Sequence, residues 1–182
     1  MKTTTALLFS FLLSVVPLAA QAATIHGTTD AAVLWISAPK ALPKPIEGVL
    51  TNHDRSFIPE YIVIPAGSTV RFPNEDPFFH SIYSTSPADP FDIGFYDTGP
   101  GKTVPFPNPG IIEVHCHIHA SMHATIVVTD GPYAQSANGS YAITGVPAGK
   151  YVLHAWDPGS GERTQTVDVP SDSADLTIDI RR

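Results

Sequence analysis

The apolar residues of this chain recur with a period of two, and no stretch shows a helical period, so the chain is bound to fold as strands. In IIEVHC (111–116), Ile112, Val114 and Cys116 share one face of a strand and Ile111, Glu113 and His115 share the other. AAVLWIS (31–37) and EGVLTN (47–52) read as strands separated by the proline-rich PKALPKP, and ATIVVTD (124–130) as another. EYIVIPAGSTVRFPN (60–74) reads as strand, Pro-Ala-Gly turn, strand. Residues 84–109, rich in Pro, Gly and Asp, are expected to form mostly turns and brief edge strands. Eighteen prolines and thirteen glycines supply the punctuation that an all-β protein with many turns requires.

The texture changes after Asp130. An Asn-Gly turn, a Gly-Val-Pro-Ala-Gly turn and the runs Lys150–Trp156, TQTVDV and DLTIDI give four short strands within residues 131–182. That is little chain for an independent core, so TIHG and AAVLWIS (within residues 24–37) are expected to pair with this unit and enlarge its sheet. The expected organisation is residues 23–130 as a first domain and 131–182 as a small β-sandwich domain.

Residues 1–22 have the makings of a secretory signal peptide. Lys2 is followed by the apolar ALLFSFLLSVVPLAA, too short to span a bilayer, and by the small-x-small step Ala20-Gln21-Ala22. No later stretch is long and apolar enough to span, so the expected mature chain is a soluble periplasmic protein running from Ala23 to Arg182. Loss of Lys2 takes the formal charge from −7 to −8, a balance that disfavours nucleic acid and anionic membranes and mildly favours basic partners.

Cys116 is the only cysteine, which is unusual for export because small exported domains use cysteines in pairs. It opens C-x-x-H-x-x-M with His119 and Met122, a spacing that composition alone would produce roughly once in two thousand tries. Thiolate, imidazole and thioether are the soft donors that favour copper. Strand 111–116 delivers Cys116 inward, a tight loop returns His119, and Met122 shares its parity with the apolar face of the next strand. A Cys/His/His set also suits tetrahedral zinc, which needs no methionine; the placement of Met122 tips the choice to copper. A second imidazole has to come from elsewhere, and His80, after Gly67, Val70, Phe72, Asn74 and Asp76, is the candidate.

At these residues the chain resembles the cupredoxins, the blue-copper proteins such as plastocyanin, amicyanin and pseudoazurin, over about residues 47–130. FPNED, FDIGFYDTG and CHIHASM are most similar to periplasmic plastocyanin-like proteins of the methylamine-utilisation type. Residues 131–182, with V-P-x-G-x-Y at Val146–Tyr151, resemble a carboxypeptidase-regulatory-like β domain. The resemblance implies a cupredoxin-like Greek-key β-sandwich holding one type 1 copper ion on His80, Cys116, His119 and Met122. The chain departs from the pattern in placing Ser81, not Asn, after the first ligand, where the shorter hydroxyl can still bridge the ligand loops but with a looser tether.

The function implied is Cu(I)/Cu(II) electron transfer with a redox protein partner, a cytochrome or oxidoreductase, through His119 and an apolar rim of Phe78, Phe79, Ile118 and Ala120. Four filled ligand positions leave no place for substrate, so no catalysis is expected. The alternatives are a copper carrier or sequestering protein, and an interaction protein with a structural metal. His115 is expected to face solvent, with a surface site from His115 and His117 left open, and His123 outside the inner set. His26, His53 and His154 are read as structural.

Overall fold

The computed structural model describes residues 22–182, so the expected signal peptide, apart from Ala22, lies outside the described residues. The chain is all-β, as the alternation requires: among the described residues there is one 3-10 turn (Pro39–Ala41) and no α-helix. No helix there is long and apolar enough to cross a membrane.

Two strands open the chain, β1 (Ala23–Thr28) and β2 (Val33–Ile36). Ten follow between Glu47 and Thr129: β3 (Glu47–Val49), β4 (Thr51–His53), β5 (Ser56–Ile58), β6 (Tyr61–Pro65), β7 (Ser68–Asn74), β8 (His80–Ser84), β9 (Phe91–Tyr96), β10 (Gly99–Phe106), β11 (Gly110–Cys116) and β12 (His123–Thr129). They form two sheets, one ordered β10-β7-β4-β5 with β3 on β7, the other ordered β6-β12-β11-β8-β9. The inward residues of both sheets, among them Phe72, Phe106, Ile82, Ile112, Val114 and Ile126, make one apolar core. Cys116 and Met122 belong to it.

Residues 84–109 are more regular than their composition suggests. β10 runs antiparallel to β7 from Phe106↔Ser68 to Gly99↔Asn74, with a bulge between Gly99 and Lys102. Gly101 makes that bulge feasible, because its φ is +76° and a Cβ there would collide with the Phe72 carbonyl oxygen.

The last five strands are β13 (Tyr133–Gln135), β14 (Ser140–Val146), β15 (Gly149–Asp157), β16 (Gly161–Val169) and β17 (Asp175–Thr177). β1 pairs with β14 and β17, and β2 lies between β13 and β15, so the N-terminal strands complete both sheets of this part. A second apolar core fills the space between these sheets, around Ile25, Leu34, Ile36, Ile143 and Leu153. The Asn-Gly turn before β14 has both residues at positive φ, 52° at Asn138 and 72° at Gly139. That is the primed geometry that matches strand twist.

A third apolar cluster joins the two parts. Val33, Trp35 and Trp156 pack against Val63 and Val127 on the outer face of the β6-β12-β11 sheet. This explains why ATIVVT in β12 is buried at every position rather than at alternate ones: both of its faces are covered. Beside the cluster, Trp35 stacks on His154 with ring centroids 4.6 Å apart. His154 Nε2 lies 2.8 Å from Ser37 Oγ, Ser37 Oγ lies 3.1 Å from an Asp130 carboxylate oxygen, and Nδ1 pairs with Glu162. These groups line a cavity of about 300 Å³ at the seam.

Candidate metal centre

β11 ends at Cys116 with its thiol turned into the core and only 4% of the residue exposed. The chain reverses over 117–122, where the Met122 amide donates to the His119 carbonyl at 2.9 Å, and resumes as β12. This turn carries the His119 ring back over the end of the strand. His80 opens β8, which pairs with β11 through Cys116↔Ile82 and His115↔Tyr83, so the His80 ring comes from the neighbouring strand.

Three donors converge. Cys116 Sγ is 3.7 Å from His80 Nδ1 and 3.8 Å from His119 Nδ1, and all three side chains offer ligand atoms within 4.8 Å of one another. An ion about 2.3 Å from sulfur and about 2.05 Å from nitrogen would hold them about 3.8 Å apart at a trigonal angle and about 3.6 Å apart at a tetrahedral one. The observed spacings therefore match a single ion bound by all three donors. Met122 is 1% exposed and shares the apolar cluster with Cys116.

His80 is aimed from behind. Its Nε2 lies 2.9 Å from Asp76 Oδ2, and both groups are buried. Asp76 is itself fixed, accepting the amides of Asp54 at 2.7 Å and Arg55 at 3.1 Å. Burial pushes the Asp76 carboxyl up, but these amides and the His80 ring outweigh it and hold it below its ordinary value, so Asp76 is an anion. An anionic acceptor at Nε2 places the ring proton there and leaves the Nδ1 lone pair facing the thiol. His119 is driven toward its neutral form: burial, the nearby His80 and the Arg55 guanidinium all lower its pKa, against the Asp76 charge.

The FPNED stretch explains this geometry locally. Asn74 Oδ1 accepts the Asp76 amide at 2.9 Å, and Asn74 Nδ2 donates to the Phe78 carbonyl at 2.8 Å. Together the two bonds fold the segment 74–78 into a fixed loop. Asp54 and Arg55, both at positive φ, form the hairpin turn between β4 and β5. The Asp76 carboxylate is the acceptor for both of their amides. One side chain thus secures a strained turn and the orientation of His80.

Asp76 stood in the motif, but spacing alone did not reveal its part. A carboxylate four residues before a candidate ligand was the available signal. The tie between the two donor segments runs through the backbone at Ser81, whose carbonyl accepts the His117 amide at 2.9 Å. Phe78 packs its ring against both imidazoles, with centroids 5.5 Å from each, and the Arg55 guanidinium carbon lies 4.7 Å from the Phe78 ring centroid. Phe79 and Ile118 are exposed beside the centre, at 54% and 44%.

The remaining imidazoles stand apart. His115 faces outward from the sheet, opposite His123 on β12 and Tyr83 on β8. His117 stacks on Tyr83 with centroids 3.9 Å apart and places Nε2 3.1 Å from Asp92 Oδ2.

No protein-family model matches the chain, and no curated protein matches it. Among solved structures, a copper-containing nitrite reductase from Thermus scotoductus SA-01 is 28% identical over 47% of this chain, with a TM-score of 0.43. The chain spans 23% of that enzyme's length. A reduced Cu(I) amicyanin variant at pH 4 is 15% identical, covering 52% of this chain and 97% of its own, at a TM-score of 0.42. A second Cu(I) amicyanin variant is 14% identical with the same coverage and TM-score.

Proposed function

We propose that the chain is an exported, periplasmic electron-transfer protein holding one type 1 copper ion on His80, Cys116 and His119, with the Met122 thioether as a weak axial donor. The observation that supports this reading most is the pair of 3.7 and 3.8 Å separations between a buried thiol and two imidazole nitrogens. A trigonal set of one sulfur and two nitrogens is acceptable to both Cu(I) and Cu(II), so a change of oxidation state needs little movement of the protein. In this reading the donors already stand at bonding geometry, Asp76 fixes the tautomer of His80, and the apolar core around Cys116 keeps water out.

The partly exposed His119 ring is the exit for the electron, and Phe79 and Ile118 form the apolar rim on which a cytochrome or oxidoreductase docks. Four protein donors leave no open position for a substrate, hence no catalysis. Residues 47–129 form the copper domain, and residues 131–182, joined by β1 and β2, form a second β domain that buttresses it from behind.

The test is a redox titration of the copper-loaded mature protein followed by visible absorption. An intense thiolate-to-copper band that bleaches on reduction, returns on oxidation and is lost in Cys116→Ser is the expected result. A colourless copper complex, or colour retained in Cys116→Ser, would refute the assignment. The histidines on the outer sheet face favour one second reading, capture of copper ions for delivery to an acceptor.

A further inference from the structure

The outer face of the β6-β12-β11-β8-β9 sheet is covered at one end only. Trp35 and Trp156 pack over Val63 and Val127, with Ile111 beside them, while the end nearest Cys116 is left open to solvent. Across that open end the register sets four residues in one row: His123 on β12, His115 on β11, Tyr83 on β8 and Asp92 on β9. A row of this composition is not needed to fold the sheet, since the core lies on the other side.

Within the row, the two histidines are register partners, and the His115 ring also packs against Tyr83 with centroids 5.7 Å apart. Opposed residues of an antiparallel pair have Cβ atoms about 5 Å apart, which brings two imidazole rings within reach of one ion. The His115 side chain makes no hydrogen bond among the described residues. His123 engages only Nδ1, 3.3 Å from the Ser121 carbonyl, and so leaves Nε2 available. His117 is already committed to Asp92 and to its stack on Tyr83. The Glu113 carboxylate lies on the same face one rung away, held at 3.3 Å by the Thr125 hydroxyl, and adds negative charge beside the pair.

We propose that His115 and His123 form a second, surface metal site, a cross-strand pair that takes one imidazole-seeking divalent cation such as Cu(II), Ni(II) or Zn(II), its remaining positions filled by water. Imidazole nitrogen suits these ions, and a site on the open sheet face permits rapid uptake and release. This inference is independent of the copper reading, because neither residue belongs to the inner cluster.

Ni(II) is the probe, since it does not oxidise the free thiol. It is titrated by calorimetry into the metal-free mature chain and into Cys116→Ser, with imidazole NMR resonances identifying the rings that respond. The equivalent that shifts His115 and His123 is expected at equal affinity in both proteins. His115→Ala and His123→Ala should each weaken it by at least about tenfold, because even removal of an outer-shell partner costs that much. His117→Ala should leave it unchanged. Affinity that survives both single alanine variants, or that falls only with His117→Ala, would overturn the proposal. Binding lost in Cys116→Ser alone would place the ion in the inner cluster and also overturn it, without touching the copper reading.

Discussion

Asp76→Ala is the most informative single change in this chain. The carboxylate holds three partners, the amides of Asp54 and Arg55 and the Nε2 of His80. The two amides sit in a turn that water can reach, but the His80 ring is fully buried, so its N–H would be left without an acceptor. An orphaned buried donor costs about 1–3 kcal/mol, and bonds to an ionised group contribute about 1.5–3 kcal/mol each. The turn also loses the acceptor that holds Asp54 and Arg55 at positive φ. Together these give an expected loss of about 2–4 kcal/mol in the metal-free protein. Copper affinity should fall by about 10–100-fold, the usual cost of removing a residue that orients a metal-binding imidazole. Asp76→Asn, which keeps an acceptor for the turn but loses the charge, should fall between Asp76→Ala and the parent. Urea unfolding of the metal-free proteins and competition for Cu(I) against a chelator measure the two effects separately. If Asp76→Ala unfolds at the parent midpoint and competes equally for copper, His80 is not positioned by this carboxylate.

Other changes probe other parts of the structure. Trp156→Ala should cost about 3–5 kcal/mol, as expected for a large buried aromatic. It should also raise amide exchange in β12, whose outer face it covers, and unchanged exchange would mean the seam is loosely packed. Met122→Leu, a volume-conserving swap in the core, should cost under about 1.5 kcal/mol while altering the visible spectrum and reduction potential of the copper form. An unaltered spectrum would remove Met122 from the coordination sphere. Asp179 is held below its ordinary pKa by the Thr28 hydroxyl and amide. Its contribution is therefore fully present above the ordinary carboxylate range and is lost as pH falls through the lowered value. Asp179→Asn should flatten the decline of stability below about pH 4, and parallel curves would refute the linkage.

Much of this architecture was legible in the chain because alternation fixes which residues turn inward. Ile112, Val114 and Cys116 share a face in IIEVHC, and the structure buries all three. The strands of 84–109 were less legible: β9 and β10 owe their length to pairing with β8 and β7, a tertiary effect that their Pro and Gly content conceals. Pattern also failed at ATIVVT, where burial on both faces comes from a neighbour distant in sequence. At the centre, the thiol and His119 follow from local spacing, whereas His80 and Asp76 meet them only because β8 pairs with β11. The Asp76–His80 contact joins residues four apart, yet its consequence for the thiol depends on that strand pairing.

Everything in the proposed function depends on one ion binding the thiolate of Cys116 and the imidazoles of His80 and His119 together. Copper-edge X-ray absorption of the singly loaded mature protein tests this most directly. The expected spectrum has one short copper–sulfur bond with two imidazole nitrogens in the same shell, the sulfur being lost in Cys116→Ser. A first shell of nitrogen and oxygen alone would contradict it.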